Sequence, residues 1–166
     1  ELQNFLVSKG EKTFRAKQIE EWIWQKSAIS FEQMTNLSTP LRKLLEENFA
    51  FYPVQIKISQ ISKDGTIKFA LILHDNNIIE TVLIPTKTRI TACVSSQVGC
   101  SLNCSFCATG KLDRIRNLDF SEIYDQVVIV NKTAIEKYGI PITNIVFMGM
   151  GEPLLNYNNV NTAIEK

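Results

Sequence analysis

Cys100, Cys104 and Cys107 lie in one short run, Cys100-Ser-Leu-Asn-Cys104-Ser-Phe-Cys107. Thiolates are the usual ligands of iron–sulfur clusters, and a cubane cluster has four irons to satisfy. Three thiols on one tight loop fill three of those corners. The fourth iron is left open for a small molecule, by the same logic that separates an open catalytic metal centre from a closed structural one. Phe106, just before the last thiol, is positioned by sequence to set an aromatic ring against such a cluster and limit solvent access. The alternative is structural zinc, which prefers four ligands, often in two separated pairs. This chain has a single Cys-x-x-Cys pair, His74 as its only histidine, and Cys93 as a fourth thiol whose spacing nothing requires. All four cysteines fall between positions 93 and 107, whereas a disulfide-stapled domain spreads them through the chain. No run is apolar and long enough to span a membrane, so the expectation is a protein of the reducing cytoplasm.

A second motif follows the cysteines. Asn144-Ile-Val-Phe-Met-Gly149-Met-Gly151-Glu152-Pro153 reads as an apolar strand that runs into a glycine-rich loop. Gly149 and Gly151 let backbone come close to a ligand. Glu152 places a carboxylate at the C-terminal end of the strand, where parallel α/β folds bind their ligands. Together the two motifs resemble those by which radical S-adenosylmethionine enzymes hold a [4Fe-4S] cluster and S-adenosyl-L-methionine. The resemblance implies that the open iron chelates the amino and carboxylate groups of the methionine moiety. It also implies that the loop carrying Gly149, Gly151, Glu152 and Pro153 contacts that amino group.

The likeness narrows within the superfamily. Cys93-Val-Ser-Ser-Gln-Val-Gly-Cys-Ser-Leu-Asn-Cys-Ser-Phe-Cys-Ala-Thr-Gly110 is similar to the signature of the RlmN family of dual-specificity RNA methyltransferases. Phe14-Arg-Ala-Lys-Gln-Ile19, Met34-Thr-Asn-Leu-Ser38, Ile79-Glu-Thr-Val-Leu-Ile-Pro85 and Arg116-Asn-Leu118 resemble it too, in order, along nearly the whole chain. The implied activity is methylation of carbon 2 of an adenine in large-subunit ribosomal RNA and in transfer RNA. The sister Cfr type, which methylates carbon 8, shares the cysteine motif, but Val98 and Ser101-Leu-Asn103 look closer to the RlmN branch. The resemblance makes Glu80 the general base and Cys93 the thiol that resolves a protein–RNA crosslink. Cys93 then forms a disulfide with a methyl-carrying cysteine near the family's C-terminus, which this sequence lacks. An electron donor such as a flavodoxin system, and a monomeric state, complete the implied picture. Two readings compete with it: a radical S-adenosylmethionine enzyme with another substrate, and a zinc module that only binds nucleic acid.

Glu80 has its own bottom-up reading. By two-residue alternation it shares a strand face with Ile78, Val82 and Ile84. A carboxylate set among aliphatic side chains has a raised pKa, which suits a proton acceptor. A solvent-facing edge glutamate is the plainer alternative.

The elements that must position these groups follow from composition and periodicity. The chain has 166 residues, 45% hydrophobic and 21% charged, enough apolar material for one or two domains. Its formal charge of +1 does not by itself indicate a nucleic-acid partner. Residues 51–118 nevertheless carry eight basic and four acidic groups, with Lys111, Arg114 and Arg116 directly after the cysteines. Up to about Phe49 the period is helical, with Ala16, Ile19 and Ile23 on one stripe and Leu41, Leu44, Leu45 and Phe49 on another. Thr39 is a candidate N-cap there, with Pro40 in the first turn. From Val54 to Pro85 the period becomes two, with turn signals at Lys63-Asp-Gly65 and Asp75-Asn-Asn77. Beyond Pro85 come β/α units: strands over 89–95 and 143–148, a helix opened by Asp119 and Glu122 and closed near Gly139, and a last helix from Asn158.

The expected class is therefore α/β. A helical accessory, RNA-binding domain spans 1–52, a β meander 53–85, and the first units of a radical S-adenosylmethionine (β/α) barrel 86–166. A barrel needs more units than these, so the chain is expected to be part of a longer polypeptide.

Overall fold

The computed structural model describes residues 2–166. It divides into two compact units, one of the residues up to Phe51 together with Lys166, the other Tyr52–Glu165.

The first unit is a small helical bundle of α1 (Leu2–Ser8), α2 (Phe14–Trp24) and α3 (Thr39–Asn48). Its core gathers Leu6, Ala16, Ile19, Met34, Leu41 and Leu45, so the apolar stripes face inward as their spacing requires. Ile23, Leu44 and Trp22 pack partly buried around that core. Ser38, rather than Thr39, caps α3. Its backbone is extended, and its side chain accepts a hydrogen bond from Leu41 N at 3.4 Å. An N-cap must have non-helical dihedrals, and Thr39 already lies inside the helix.

The second unit is built on a five-stranded sheet of β1 (Gln55–Ile61), β2 (Ile67–Ile72), β3 (Ile78–Pro85), β4 (Ile90–Cys93) and a strand, β7, at Asn144–Val146. These lie in that order across the sheet, antiparallel except for the β4–β7 pair. The expected strands at 89–95 and 143–148 are thus shorter than their apolar runs. Two-residue strands β5 (Gln97–Val98) and β6 (Arg116–Asn117) pair separately as a ribbon. Helix α4 (Phe120–Tyr138) crosses between β4 and β7, and α5 (Tyr157–Ile164) follows β7 after a 3-10 turn over Pro153–Asn156. The capping box of α4 forms as expected from Asp119 and Glu122, and Gly139 ends the helix with φ 73°.

Alternation in β2 and β3 decides which way this sheet faces. Ile67, Phe69, Leu71, Ile79 and Leu83 are buried in one core with Ile123, Val130 and Ala134 of α4. The intervening residues, including Lys68, Glu80 and Val82, take the opposite face. Val82 stands directly across from Cys93, so Cys93 joins Lys68 and Glu80 there.

Candidate active site

The three cysteines sit on a loop whose ends are zipped together. The β5–β6 ribbon pairs Gln97 with Asn117 and Val98 with Arg116. Ile115 N donates to Val98 O at 2.8 Å just inside it. Gly99 makes this closure possible: its φ is +74°, and a Cβ there would lie 2.0 Å from Asp113 O. Cys100, Cys104 and Cys107 are free and partly exposed. Backbone amides of Gly110 and Thr109 point at the Cys107 sulfur and pull its pKa below the usual thiol range, toward the thiolate that metals bind. Among the described residues, no three His, Cys, Asp or Glu side chains converge to hold a single metal ion. A cluster asks for something else, namely one thiolate for each of several irons, and the structure puts three free, partly exposed thiols on one closed loop. Phe106 stands 91% exposed beside them.

The glycine-rich loop lies against the segment that leads to the cysteines. A Cβ on Gly149 would meet Ser95 Oγ at 2.6 Å, and one on Gly151 would meet Gln97 Cβ at 2.5 Å. The close approach these glycines serve within this structure is therefore to residues 94–97 of the chain. Ser96 N and Gln97 N both donate to Met150 O, at 2.8 and 3.2 Å. Gln97, fully buried, accepts from Glu152 N through Oε1 at 3.0 Å and donates to Asn117 Oδ1 through Nε2 at 2.7 Å. One side chain thus ties the glycine loop to the stem of the cysteine loop. The Glu152 carboxylate accepts from Leu154 N at 3.0 Å and opens the 3-10 turn that begins at Pro153.

Glu80 is not isolated among aliphatics. Its Oε1 is 2.8 Å from Lys68 Nζ, and both side chains are about half exposed, at 48%. Strand alternation places the two on one face correctly, but the β2–β3 register adds a cation that the sequence of β3 alone does not reveal. Cys93 is buried, and burial pushes its thiol pKa up, while the Met148 backbone N–H facing the sulfur pulls the other way.

Arg116 is engaged within the protein instead of standing free for a phosphate. Its Nη1 and Nη2 donate to the two oxygens of Glu122 at 2.7 and 2.8 Å, and its Nε to Asp75 Oδ2 at 2.7 Å. That fork holds the Asp75 carboxyl far below the ordinary carboxylate range. It links the turn after β2 to the end of the cysteine loop and the start of α4.

Several positioning residues escaped sequence reasoning. Gln126 of α4, fully buried, accepts from Ser95 N at 2.8 Å and donates to Ser95 O at 3.0 Å. Asn156 donates to Ser96 O and Leu118 O, both at 2.8 Å. The signal available was a glutamine on the apolar stripe of α4, between Ile123 and Val130, where a polar residue needs partners.

Known proteins resemble this arrangement along its whole length. Residues 1–50 match the family model described as the ribosomal RNA large subunit methyltransferase N-terminal domain. A probable dual-specificity RNA methyltransferase RlmN of Cytophaga hutchinsonii is 61% identical over 166 residues, covering 100% of this chain and 46% of that protein. The chain belongs to the RlmN family. A second RlmN relative, from Geobacter sulfurreducens, is 45% identical over 99% of this chain and 44% of its own length. The crystal structure of a radical SAM methyltransferase from Sphaerobacter thermophilus superposes with a TM-score of 0.85 at 40% identity, covering 99% of this chain and 48% of that one. The chain therefore spans about half the length of the RlmN proteins it matches, and the mixed α/β architecture is that of a radical S-adenosylmethionine methyltransferase.

Proposed function

We propose that this chain supplies the cluster-binding and cofactor-binding portion of an RNA methyltransferase that modifies an adenine of large-subunit ribosomal RNA and of transfer RNA. The observation that carries the reading is the Gln97 bridge. It fixes a loop of three available thiols and a glycine-rich loop ending in Glu152 as one rigid assembly. Cys100, Cys104 and Cys107 would hold a [4Fe-4S] cluster, and Gly149, Gly151, Glu152 and Pro153 would border S-adenosyl-L-methionine. Bound there, the pair supplies one-electron cleavage chemistry, which suits an electron-poor ring carbon that resists ordinary methyl transfer.

The protein's own groups have narrower tasks. Lys68 orients the Glu80 carboxylate, which takes the proton lost from the methylated carbon, C2 on the family pattern. Cys93, held as a neutral thiol by burial, waits on the same sheet face. After losing its proton it would attack the sulfur of the methyl-carrying cysteine, which lies outside this chain. A disulfide forms as the bond from that sulfur to the RNA-linked carbon breaks and the carbon takes up a proton. Phe106 covers the cluster, and the first unit, which matches the family's N-terminal domain, contacts RNA. An electron donor of the flavodoxin kind and a monomeric, cytoplasmic enzyme complete the proposal. The target base must leave its stack to reach such a site, so a loop or splayed base is the expected substrate.

The test is anaerobic reconstitution of the full-length protein with iron and sulfide, followed by iron analysis and electron paramagnetic resonance. About four irons per chain, with a reduced signal that S-adenosylmethionine alters, is the expected result. One tightly bound zinc and no iron would sink the reading. Glu80→Gln in the loaded enzyme is expected to abolish methylated product while leaving iron content intact.

A further inference from the structure

The hydroxyl of Ser95 occupies a junction that neither the cysteine motif nor the glycine motif accounts for. Ser95 is fully buried. Its Oγ donates to the carbonyl of Glu80 and accepts from Met150 N at 2.8 Å. Its own backbone is held on both sides by Gln126, so the hydroxyl cannot drift. The result is a short polar chain from the glycine loop through one oxygen to the strand residue that bears the proposed base. Such a chain is strengthened by its low-dielectric surroundings, and leaving its ends unpaired is costly there. The adjacent Ser96 Oγ is buried as well but has no hydrogen-bond partner, so burial of a hydroxyl alone does not create this junction.

We infer that Ser95 is a positioning residue that sets the spacing between the glycine loop and the Glu80 strand, and so between bound S-adenosylmethionine and the carboxylate that takes the proton. This rests on the function proposed above. Without the hydroxyl, Met150 N–H and Glu80 C=O each lose a buried partner. The loop then keeps its bonds to Val94, Ser96 and Gln97 but loses its link to the Glu80 strand. Its spacing from that strand loosens while the cysteine stem, held by Gln97 and Asn117, stays closed.

The experiment compares Ser95→Ala, Ser95→Cys and Ser96→Ala in the full-length protein. Three quantities are read: amide hydrogen exchange across residues 148–152 without cofactors, the dissociation constant for S-adenosylmethionine after reconstitution, and the cofactor cleaved per adenine methylated. Ser95→Ala is expected to speed exchange at Met150 and weaken cofactor binding about tenfold, equal to about 1.4 kcal/mol. Iron per chain stays at the wild-type value, and more cofactor is spent per methylation. Ser95→Cys keeps a weaker donor of similar shape and falls between, which serves if the alanine variant does not fold. Equal effects from Ser95→Ala and Ser96→Ala, or wild-type behaviour of both Ser95 variants, overturn the inference. A wild-type protein that binds neither iron nor cofactor overturns the functional reading instead, and exchange at Met150 still decides the role of Ser95.

Discussion

Two thiols fourteen residues apart are tuned in opposite directions. Amides of Gly110 and Thr109 lower the Cys107 pKa, whereas burial raises that of Cys93. With cofactors absent, Cys107 is therefore expected to react with iodoacetamide at lower pH than Cys93, read by mass spectrometry across a pH series. Because the folded-state pKa of Cys93 lies above its unfolded value of 9.0, folding favours the neutral thiol. Its contribution to stability is fully present below that value and is lost as pH rises through the folded pKa. A Cys93→Ala variant should flatten that alkaline loss in a denaturation series. The Lys68–Glu80 pair is a different kind of contact. Half exposed and solvent-screened, it matters for orientation, and Lys68→Met is expected to cost less than about 1 kcal/mol in denaturant unfolding.

At the scale of elements, the cysteine loop depends on how its stem closes. A Cβ at position 99 would lie 2.0 Å from a backbone oxygen, at a φ of +74°. Neither chain can yield cheaply, so Gly99→Ala is expected to leave the fold of the sheet intact and abolish iron uptake, checked by iron analysis beside circular dichroism. The Arg116 fork braces the same stem from outside. Glu122 is only 6% exposed, so Arg116→Ala leaves a buried carboxylate with the Asp119 N–H at 2.9 Å and His74 Nδ1 at 3.4 Å as its remaining polar neighbours. Arg116 is itself about a quarter exposed, at 26%, so water softens the loss. The expected cost is about 2 kcal/mol, below the 3–5 kcal/mol of a fully buried broken pair. The denaturant midpoint should fall with an unchanged slope.

For the whole molecule, the division at Phe51 and Tyr52 gives each unit a buried core of its own. Removing residues 1–51 from the full-length protein is expected to weaken RNA binding at least tenfold, about 1.4 kcal/mol, while iron content is kept. A filter-binding series at several salt concentrations, beside iron analysis, measures both. Equal RNA affinity with and without that unit would place the RNA contacts elsewhere.

The sequence by itself determined the family, the helical and period-two segments, the capping box of α4, and which cysteines stand close enough in the chain to share a cluster. Those properties are local: they depend on spacing within a turn, a strand or a loop, and spacing is written in the chain. The partners of each side chain were not legible in this way. Lys68 meets Glu80 only because β2 and β3 pair with Ala70 opposite Glu80. Arg116 looked like part of a basic surface until folding brought Asp75 to it from 41 residues away. Gly149 and Gly151 read as room for a ligand, yet they also make room for Ser95 and Gln97. Tertiary structure decided these contacts because buried polar groups must find partners wherever the packed elements place them, and most such partners lie far away in sequence.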